Sequence, residues 1–178
     1  MSKPIRNTPR QAKVAKALTR VVDRACGNGE TTAYLCSLTL PQQFAADQHQ
    51  ANDVYKRIQS DFCKNVQRRT GETPRYVTVR TEHDSRPEYA ICLFTRHESR
   101  LEQTETYEEK GRSIADVKAR QAGWNADEDS PRFTIEPQSI TMTSVNRETE
   151  MPKLMQHLQG KGTTRQPYQR AIFVSKCH

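Results

Sequence analysis

Several common features are missing from this sequence, and each absence excludes a class of protein. No run of apolar residues approaches the roughly 20 that a helix needs to cross a bilayer, so we expect no membrane span. The first residues, MSKPIRNTPRQAK, contain no apolar segment of the kind that marks a secretory signal, so we expect a cytoplasmic protein. Hydrophobic residues make up only 34% of the 178 positions, which predicts one small core with polar appendages.

The cysteines lack the spacing of a metal site. None of the five forms a Cys-x-x-Cys pair, so a zinc knuckle is not expected, and the odd number argues against a disulfide framework. Cys36 and Cys92 fall inside apolar runs, where cysteine most simply acts as a small core residue in a reducing compartment.

What the sequence does have is positive charge, unevenly distributed. The formal net charge is +7. Basic residues face a single acid, Asp23, in the first 25 positions and cluster again over 56–69, whereas 102–109 and 127–129 are acidic. Such polarisation favours a binding face for a polyanion over a uniformly solvated surface, and nucleic acid is the polyanion that we expect.

The periodicity of apolar residues predicts the order of helices and strands. Helical spacing indicates helices over 10–25, 43–69, 113–124 and 151–159. Runs rich in β-branched residues indicate strands over 31–40, 75–82, 88–96, 133–145 and 171–176, of which the second and third should form an antiparallel hairpin. The acidic stretch 98–110 shows little periodicity and is interpreted as an exposed loop or insertion.

This order predicts an α+β fold of the ferredoxin-like, split βαββαβ type. In that pattern an antiparallel sheet carries its helices on one face, and the other face is open to a ligand. We predict two parts, a basic N-terminal helix or arm over 1–29 and an α+β domain over 30–178 with the acidic insertion 98–110. The N-terminal helix could pack on the core, lie along phosphates, or do both.

Four motifs in sequence order resemble one class of DNA-nicking enzymes. They are TGETPRYVTVR over 70–80, RPEYA over 86–90 with the apolar strand that follows, Trp124 after a helix, and RAIFVSK over 170–176. Together they resemble the phage-type rolling-circle replication initiators of the His-hydrophobic-His endonuclease class, as found in inoviruses and satellite prophages. The resemblance spans about residues 31–176 and implies a replication-initiator-like domain over 30–178.

The resemblance implies two catalytic features, and this chain departs from both. The class holds a divalent metal with two histidines on one strand, and the matching positions are Glu88 and Ala90. It also places a tyrosine nucleophile on the late helix, but 151–161 contains no tyrosine and Tyr168 lies in the following loop. We therefore expect no catalysis and no cofactor. The remaining candidates for a weak Mg²⁺ or Mn²⁺ site and residual cleavage are Glu82, Glu88 and Tyr168. The simpler alternatives, which we favour, are surface residues at the hairpin end for Glu82 and Glu88 and a half-buried loop anchor for Tyr168.

The resemblance also implies a grip on DNA through basic residues, with aromatic side chains stacking on bases. The positions expected to contact nucleic acid edge the hairpin, the first helix and the last loop: Lys13, Lys16, Arg20, Arg75, Arg80, Arg86, Arg96, Arg165, Arg170, Tyr76 and Tyr89. Of these, Arg80 and Arg96 are expected to be solvated and to face DNA, while core packing is an equal alternative for Tyr89.

Three functions follow as hypotheses. The first is a catalytically degenerate, replication-initiator-like protein of a phage or mobile element that binds single-stranded or hairpin DNA. The second is a phage-encoded inhibitor of a host nucleoprotein defence complex, with the acidic 102–109 segment acting as a DNA mimic or the basic face competing for nucleic acid. The third is a residual metal-dependent nickase.

Overall fold

A computed structural model of the chain describes residues 9–27, 29–126, 129–159 and 172–175. The described part is a mixed α+β fold with four α-helices and a six-stranded antiparallel sheet, as the sequence predicts at this level. The helices are α1 (Pro9–Cys26), α2 (Gln48–Thr70), α3 (Thr104–Gln121) and α4 (Arg147–Gln159). The strands are β1 (Thr31–Thr39), β2 (Arg75–His83), β3 (Arg86–Arg96), β4 (Arg132–Ile135), β5 (Ile140–Met142) and β6 (Ile172–Val174). None of the described helices is both long and apolar enough to span a membrane.

The strands follow the order β4-β1-β3-β2-β6, with β5 also paired to β1. The predicted hairpin is present, and β3 lies inside the sheet between β1 and β2. Its turn is shorter than predicted, because Asp84 and Ser85 both adopt positive φ angles, 51° and 63°, and so close the hairpin with two residues. The Asp-Ser pair carries none of the glycine that usually signals such a turn.

The prediction of a single extended segment over 133–145 is wrong. Two short strands, β4 and β5, pair with successive parts of β1 and are separated by residues 136–139. Pro137 falls in this gap, and because proline has no N–H to donate, the ladder is interrupted there.

The prediction that helices cover only one face of the sheet, leaving the other open, is also wrong. Helices α2 and α3 pack on one face, around Tyr34, Leu38 and Leu93. Helices α1 and α4 pack on the other face, around a second cluster that includes Val77, Val79, Ala90 and Cys92 of the sheet. The cause is the apolar stripe of α1, in which Val14, Leu18, Val21 and Val22 are all buried. An amphipathic helix buries such a stripe against a partner, so α1 packs as part of the core instead of lying apart as an arm.

The acidic stretch is folded to a greater extent than predicted. Helix α3 begins at Thr104, so the interpretation of 98–110 as an exposed loop is wrong for its second half. Two residues explain the difference. Tyr107 is buried in the main core, and Gly111 lies so close to the Phe133 ring that a Cβ at this position would overlap it. The carboxylate of Glu108 also accepts the backbone N–H of Ile135 at 2.9 Å, which fixes α3 to β4.

The other predicted helices are confirmed with shifted starts. Helix α2 begins at Gln48, because the Asp47 side chain caps it by accepting the N–H of Gln50 at 3.1 Å, and a 3₁₀ turn over Gln42–Ala46 precedes it. Helix α4 begins at Arg147, earlier than its predicted start.

Candidate nucleic-acid interface

The solvent side of α1 carries a row of basic residues. Lys13, Lys16, Arg20 and Arg24 are all exposed. Because they are spaced by three or four positions, they lie on one side of the helix, along about 16 Å of its axis. The residues between them on the opposite side form the buried apolar stripe, so the same amphipathic pattern produces both the packing and the charged row.

The row continues onto the end of the sheet. Arg24 shares a depression of about 240 Å³ with Arg75 and Arg96, which lie at the start of β2 and the end of β3. We call the set Lys13, Lys16, Arg20, Arg24, Arg75 and Arg96 the α1 basic surface. The sequence predicted five of its members as contacts and did not select Arg24, although Arg24 continues the same helical spacing.

The acids beside the α1 basic surface are already paired. Asp23, on α1 itself, forms an ion pair with Arg147 at the start of α4. The carboxylate of Glu72 lies 3.3 Å from the Arg96 guanidinium. Among the described residues, Lys13, Lys16, Arg20 and Arg24 have no carboxylate partner, so the α1 basic surface keeps a net positive charge.

Arg80 lies elsewhere, and the prediction that it is solvated is wrong. Its side chain is 1% exposed, on the face of β2 that packs against α2. Its Nη1 lies 3.5 Å from the side-chain oxygen of Asn52 on α2. Strand alternation explains the placement, since Thr78 and Arg80 point toward α2 whereas Val77 and Val79 point toward α1.

Arg86 ties two loops to β3 and lies apart from the α1 basic surface. Its guanidinium donates to the carbonyl oxygens of Leu40 at 3.0 Å and Ser130 at 2.6 Å, and it pairs with Asp129 at 3.0 Å. Burial lowers the pKa of Arg86, and the carboxylate of Asp129 acts in the opposite direction. With Nε and Nη2 engaged by the protein, Arg86 serves to anchor the start of β3.

The two tyrosines chosen for base stacking lie on the α2 side of the sheet, across the sheet from α1. Tyr89 is fully buried and stacks on Tyr55 with ring centroids 4.4 Å apart and planes 7° apart. Burial raises the pKa of Tyr89. Tyr76 is half-buried against the same core. Because its ring is buried, Tyr89 cannot stack on a nucleic-acid base. Of the two roles predicted for Tyr89, core packing is the one seen in the structure.

The two positions that the resemblance aligns with the metal-binding histidines of the nickase class lie beside a cleft. Glu88 and Ala90 are on the face of β3 that carries α4, and together with α4, β1 and β4 they line a cleft of about 970 Å³, which we call the α4 cleft. From α4 the cleft receives Lys153 and His157, and the His157 ring lies at hydrogen-bond distance, 2.8 Å, from the carbonyl oxygen of Cys36. No tyrosine occurs in α4.

Some predicted site residues lie outside the described part of the chain. These are Arg165, Tyr168 and Arg170, and the side chain of Glu82, whose backbone belongs to β2. Within the described ranges, no three histidine, cysteine, aspartate or glutamate side chains converge as a metal site would require. In comparisons with models of protein families, with curated proteins and with solved structures, nothing matches this chain.

Proposed function

We propose that this chain is a catalytically degenerate, replication-initiator-like protein that binds nucleic acid through the α1 basic surface. The observation that carries the proposal is the row of Lys13, Lys16, Arg20 and Arg24, exposed and without carboxylate partners in the described structure. A straight row of cations fits the phosphates of one strand, and the counterions released on binding drive the association.

The strand order supports the proposed ancestry. In the split βαββαβ pattern the strand that follows the hairpin turn lies between the other two, and β3 occupies that place between β1 and β2. We therefore propose a ferredoxin-like sheet to which β5, β6 and the basic helix α1 have been added. Glu88 and Ala90 then lie at the centre of the sheet, beside the helix in which the class carries its nucleophile.

The same geometry favours binding without scission. Ala90 has no ligand atom, and α4 offers Lys153 and His157 to the cleft in place of a tyrosine. The resembled class cleaves DNA with an electrophilic metal and an attacking tyrosine hydroxyl, so a derivative that has lost both would keep the adhesion without the reaction.

The α1 basic surface should recognise the sugar-phosphate backbone. No aromatic residue in the described ranges is exposed, so base stacking contributes little at this surface. Phosphate contacts carry no sequence information, and we therefore expect binding that is strong at low salt and largely independent of sequence. We propose single-stranded DNA and DNA hairpins as the ligands, because these are the forms of DNA that the resembled class binds.

A binding titration tests the proposal. A fluorescent DNA hairpin, a single strand and a duplex are titrated with the full chain at low salt, and anisotropy gives Kd. The double variant Lys16→Ala/Arg20→Ala should weaken binding by about tenfold or more, since two phosphate contacts are lost. The matched control is Lys110→Ala/Arg112→Ala, two exposed cations on α3 across the sheet, which should bind like the unaltered chain.

Absence of binding at low salt, or an equal loss in the control, would refute the proposal. The same hairpin incubated with Mn²⁺ addresses the nickase hypothesis: we expect it to remain uncut and without a covalent protein adduct, and cleavage would overturn the claim of degeneracy.

A second function is favoured by a row of acids on α3. Glu105 and Glu109 are exposed one turn apart, and Glu102 and Glu98 precede them on the surface. Such a row could occupy a nucleic-acid site on a host nucleoprotein complex, as a DNA mimic does. The test is co-purification with a host complex after nuclease treatment. This function predicts that Glu105→Gln/Glu109→Gln abolishes the association, whereas an association lost on nuclease treatment would favour the first function.

A further inference from the structure

The floor of the α4 cleft contains one row of polar side chains that crosses three strands. Thr39 of β1 pairs with Glu88 of β3 on one side and with Arg132 of β4 on the other. All three residues line the cleft. Because neighbouring strands lie about 4.8 Å apart, the backbones of Glu88 and Arg132 are separated by about 10 Å across the row.

The next row toward the interior carries only small side chains. Ser37 pairs with Ala90 on one side and with Thr134 on the other, and these residues also line the cleft. The floor between Glu88 and Arg132 is therefore low and bears hydroxyl groups, which leaves room for a planar ring. A cleft of about 970 Å³ is large enough for a ligand of nucleotide size.

The charged residues on the wall and the floor differ in their partners. On the wall, Lys153 and Glu150 of α4 pair with each other at 2.9 Å. On the floor, neither the Glu88 carboxylate nor the Arg132 guanidinium forms an ion pair or hydrogen bond with another described side chain. The row thus presents a hydrogen-bond acceptor, Glu88, at one end and a cation, Arg132, at the other. This arrangement suits a ligand that has hydrogen-bond donors at one end and an anionic group at the other.

We propose that the α4 cleft binds a guanine nucleotide, with the base edge at Glu88 and the phosphate at Arg132. A carboxylate accepts two parallel N–H bonds, and guanine is the base that presents two adjacent donors, N1–H and the N2 amino group, on one edge. Arginine binds phosphate through its forked donors. In a mononucleotide the base edge and the 5′-phosphate lie at opposite ends, as the row requires.

The ligand could be a free guanine nucleotide or a guanine residue at the end of a nucleic-acid strand. The second source rests on the proposed function, and the first does not. An arginine side chain would also satisfy Glu88, but a low hydroxyl-bearing floor fits a flat base better than an extended alkyl stem. Free arginine therefore serves as a competitor in the test.

Calorimetry on the full chain tests the site with GMP, guanosine, AMP and arginine. GMP should bind about tenfold or more tightly than AMP, and Glu88→Gln should abolish this preference. Arg132→Gln should weaken GMP but leave guanosine unchanged, because only GMP carries the phosphate. Glu136→Gln is the matched control, since Glu136 lines the same cleft away from the row and should change nothing.

Three results would overturn the site: equal affinity for GMP and AMP, equal losses in Glu88→Gln and Glu136→Gln, or displacement of GMP by arginine at similar concentrations. Oligonucleotides that begin with guanine or adenine distinguish the two sources. If the ligand is a strand end, the 5′-guanine strand should bind better, and Glu88→Gln should remove only that difference. If the proposed function of the α1 basic surface is the part that is wrong, both strands should bind weakly and to the same extent, while GMP binding persists.

Discussion

The hydroxyl of Tyr89 donates a hydrogen bond of 2.8 Å to the side-chain oxygen of Asn52, across the interface between β3 and α2. Asn52 also lies 3.5 Å from the Arg80 guanidinium, so one half-buried amide oxygen lies within reach of both a tyrosine hydroxyl and a cation. A sequence pattern cannot reveal this arrangement, because the residues are far apart along the chain and each is a reasonable surface residue by type.

Removing the Tyr89 hydroxyl tests whether this contact is structural. Tyr89→Phe should lower the free energy of unfolding by about 1 kcal/mol, the net value of a buried hydrogen bond. Its affinity for DNA should not change. Urea unfolding measures the first quantity and anisotropy the second. Tyr76→Phe is the control, since no described residue hydrogen-bonds the Tyr76 hydroxyl. A loss of DNA affinity in Tyr89→Phe at unchanged stability would instead indicate that the hydroxyl contacts DNA, since phenylalanine keeps the aromatic ring.

The close approach of α3 to β4 gives a second prediction. Gly111→Ala should destabilise the fold by about 1–3 kcal/mol, because the added methyl group overlaps the Phe133 ring. Ser113→Ala, exposed on the same helix, should change stability by less than about 0.5 kcal/mol. Adding Phe133→Leu to Gly111→Ala should recover part of the loss. Strictly additive effects of the two changes would contradict the overlap.

The buried thiols predict a dependence of stability on pH. Burial raises the pKa of the Cys63 thiol to about 12, and a hydrogen bond from Gln59 acts in the opposite direction. The unfolded chain loses this proton near pH 8.5, about the ordinary value for cysteine, while the native chain retains it. Stability is therefore full below about pH 8.5 and falls as the pH rises from there toward the native pKa.

Urea unfolding at about pH 8 and pH 10 measures this dependence. Cys63→Ala should reduce the decline by about 2 kcal/mol, because the mismatch between native and unfolded pKa values disappears. Cys26→Ala, half-exposed at the end of α1, is the matched control and should show the full decline. Identical declines in the two variants would exclude Cys63 as a source of the effect.

Much of the fold could be predicted from local pattern, and the errors have physical causes. Strands β1 to β3 and helices α1 and α2 have strong periodicity, so their existence and order were predictable. The start of α3 was not, because its exposed side is acidic and its contacts to the core, Tyr107 and Gly111, are too few to produce a periodic signal. The covering of the second sheet face was missed because apolar stripes show that a helix packs, but not against which face.

The candidate site was predicted only in part, because local pattern groups some of its residues whereas tertiary contacts decide the placement of others. Helical spacing is a local property, and it correctly grouped Lys13, Lys16 and Arg20 on one side of α1. Arg80 and Tyr89 share a partner, Asn52, that lies on another element, and their burial depends on tertiary contacts that the sequence pattern of a strand does not show. The ion pair between Glu72 and Arg96 likewise depends on tertiary structure, because it forms only where the end of β3 lies beside the residues that follow α2.

The salt dependence of DNA binding tests the central claim most directly. The logarithm of the binding constant is measured against the logarithm of salt concentration for the full chain on a single strand. With about five phosphate contacts at the α1 basic surface, the slope should be about −3.5, and Lys16→Ala/Arg20→Ala should reduce its magnitude by about 1.4. The Lys110→Ala/Arg112→Ala control should retain the full slope. A slope near zero, or one unchanged by the α1 substitutions, would contradict phosphate binding at this surface.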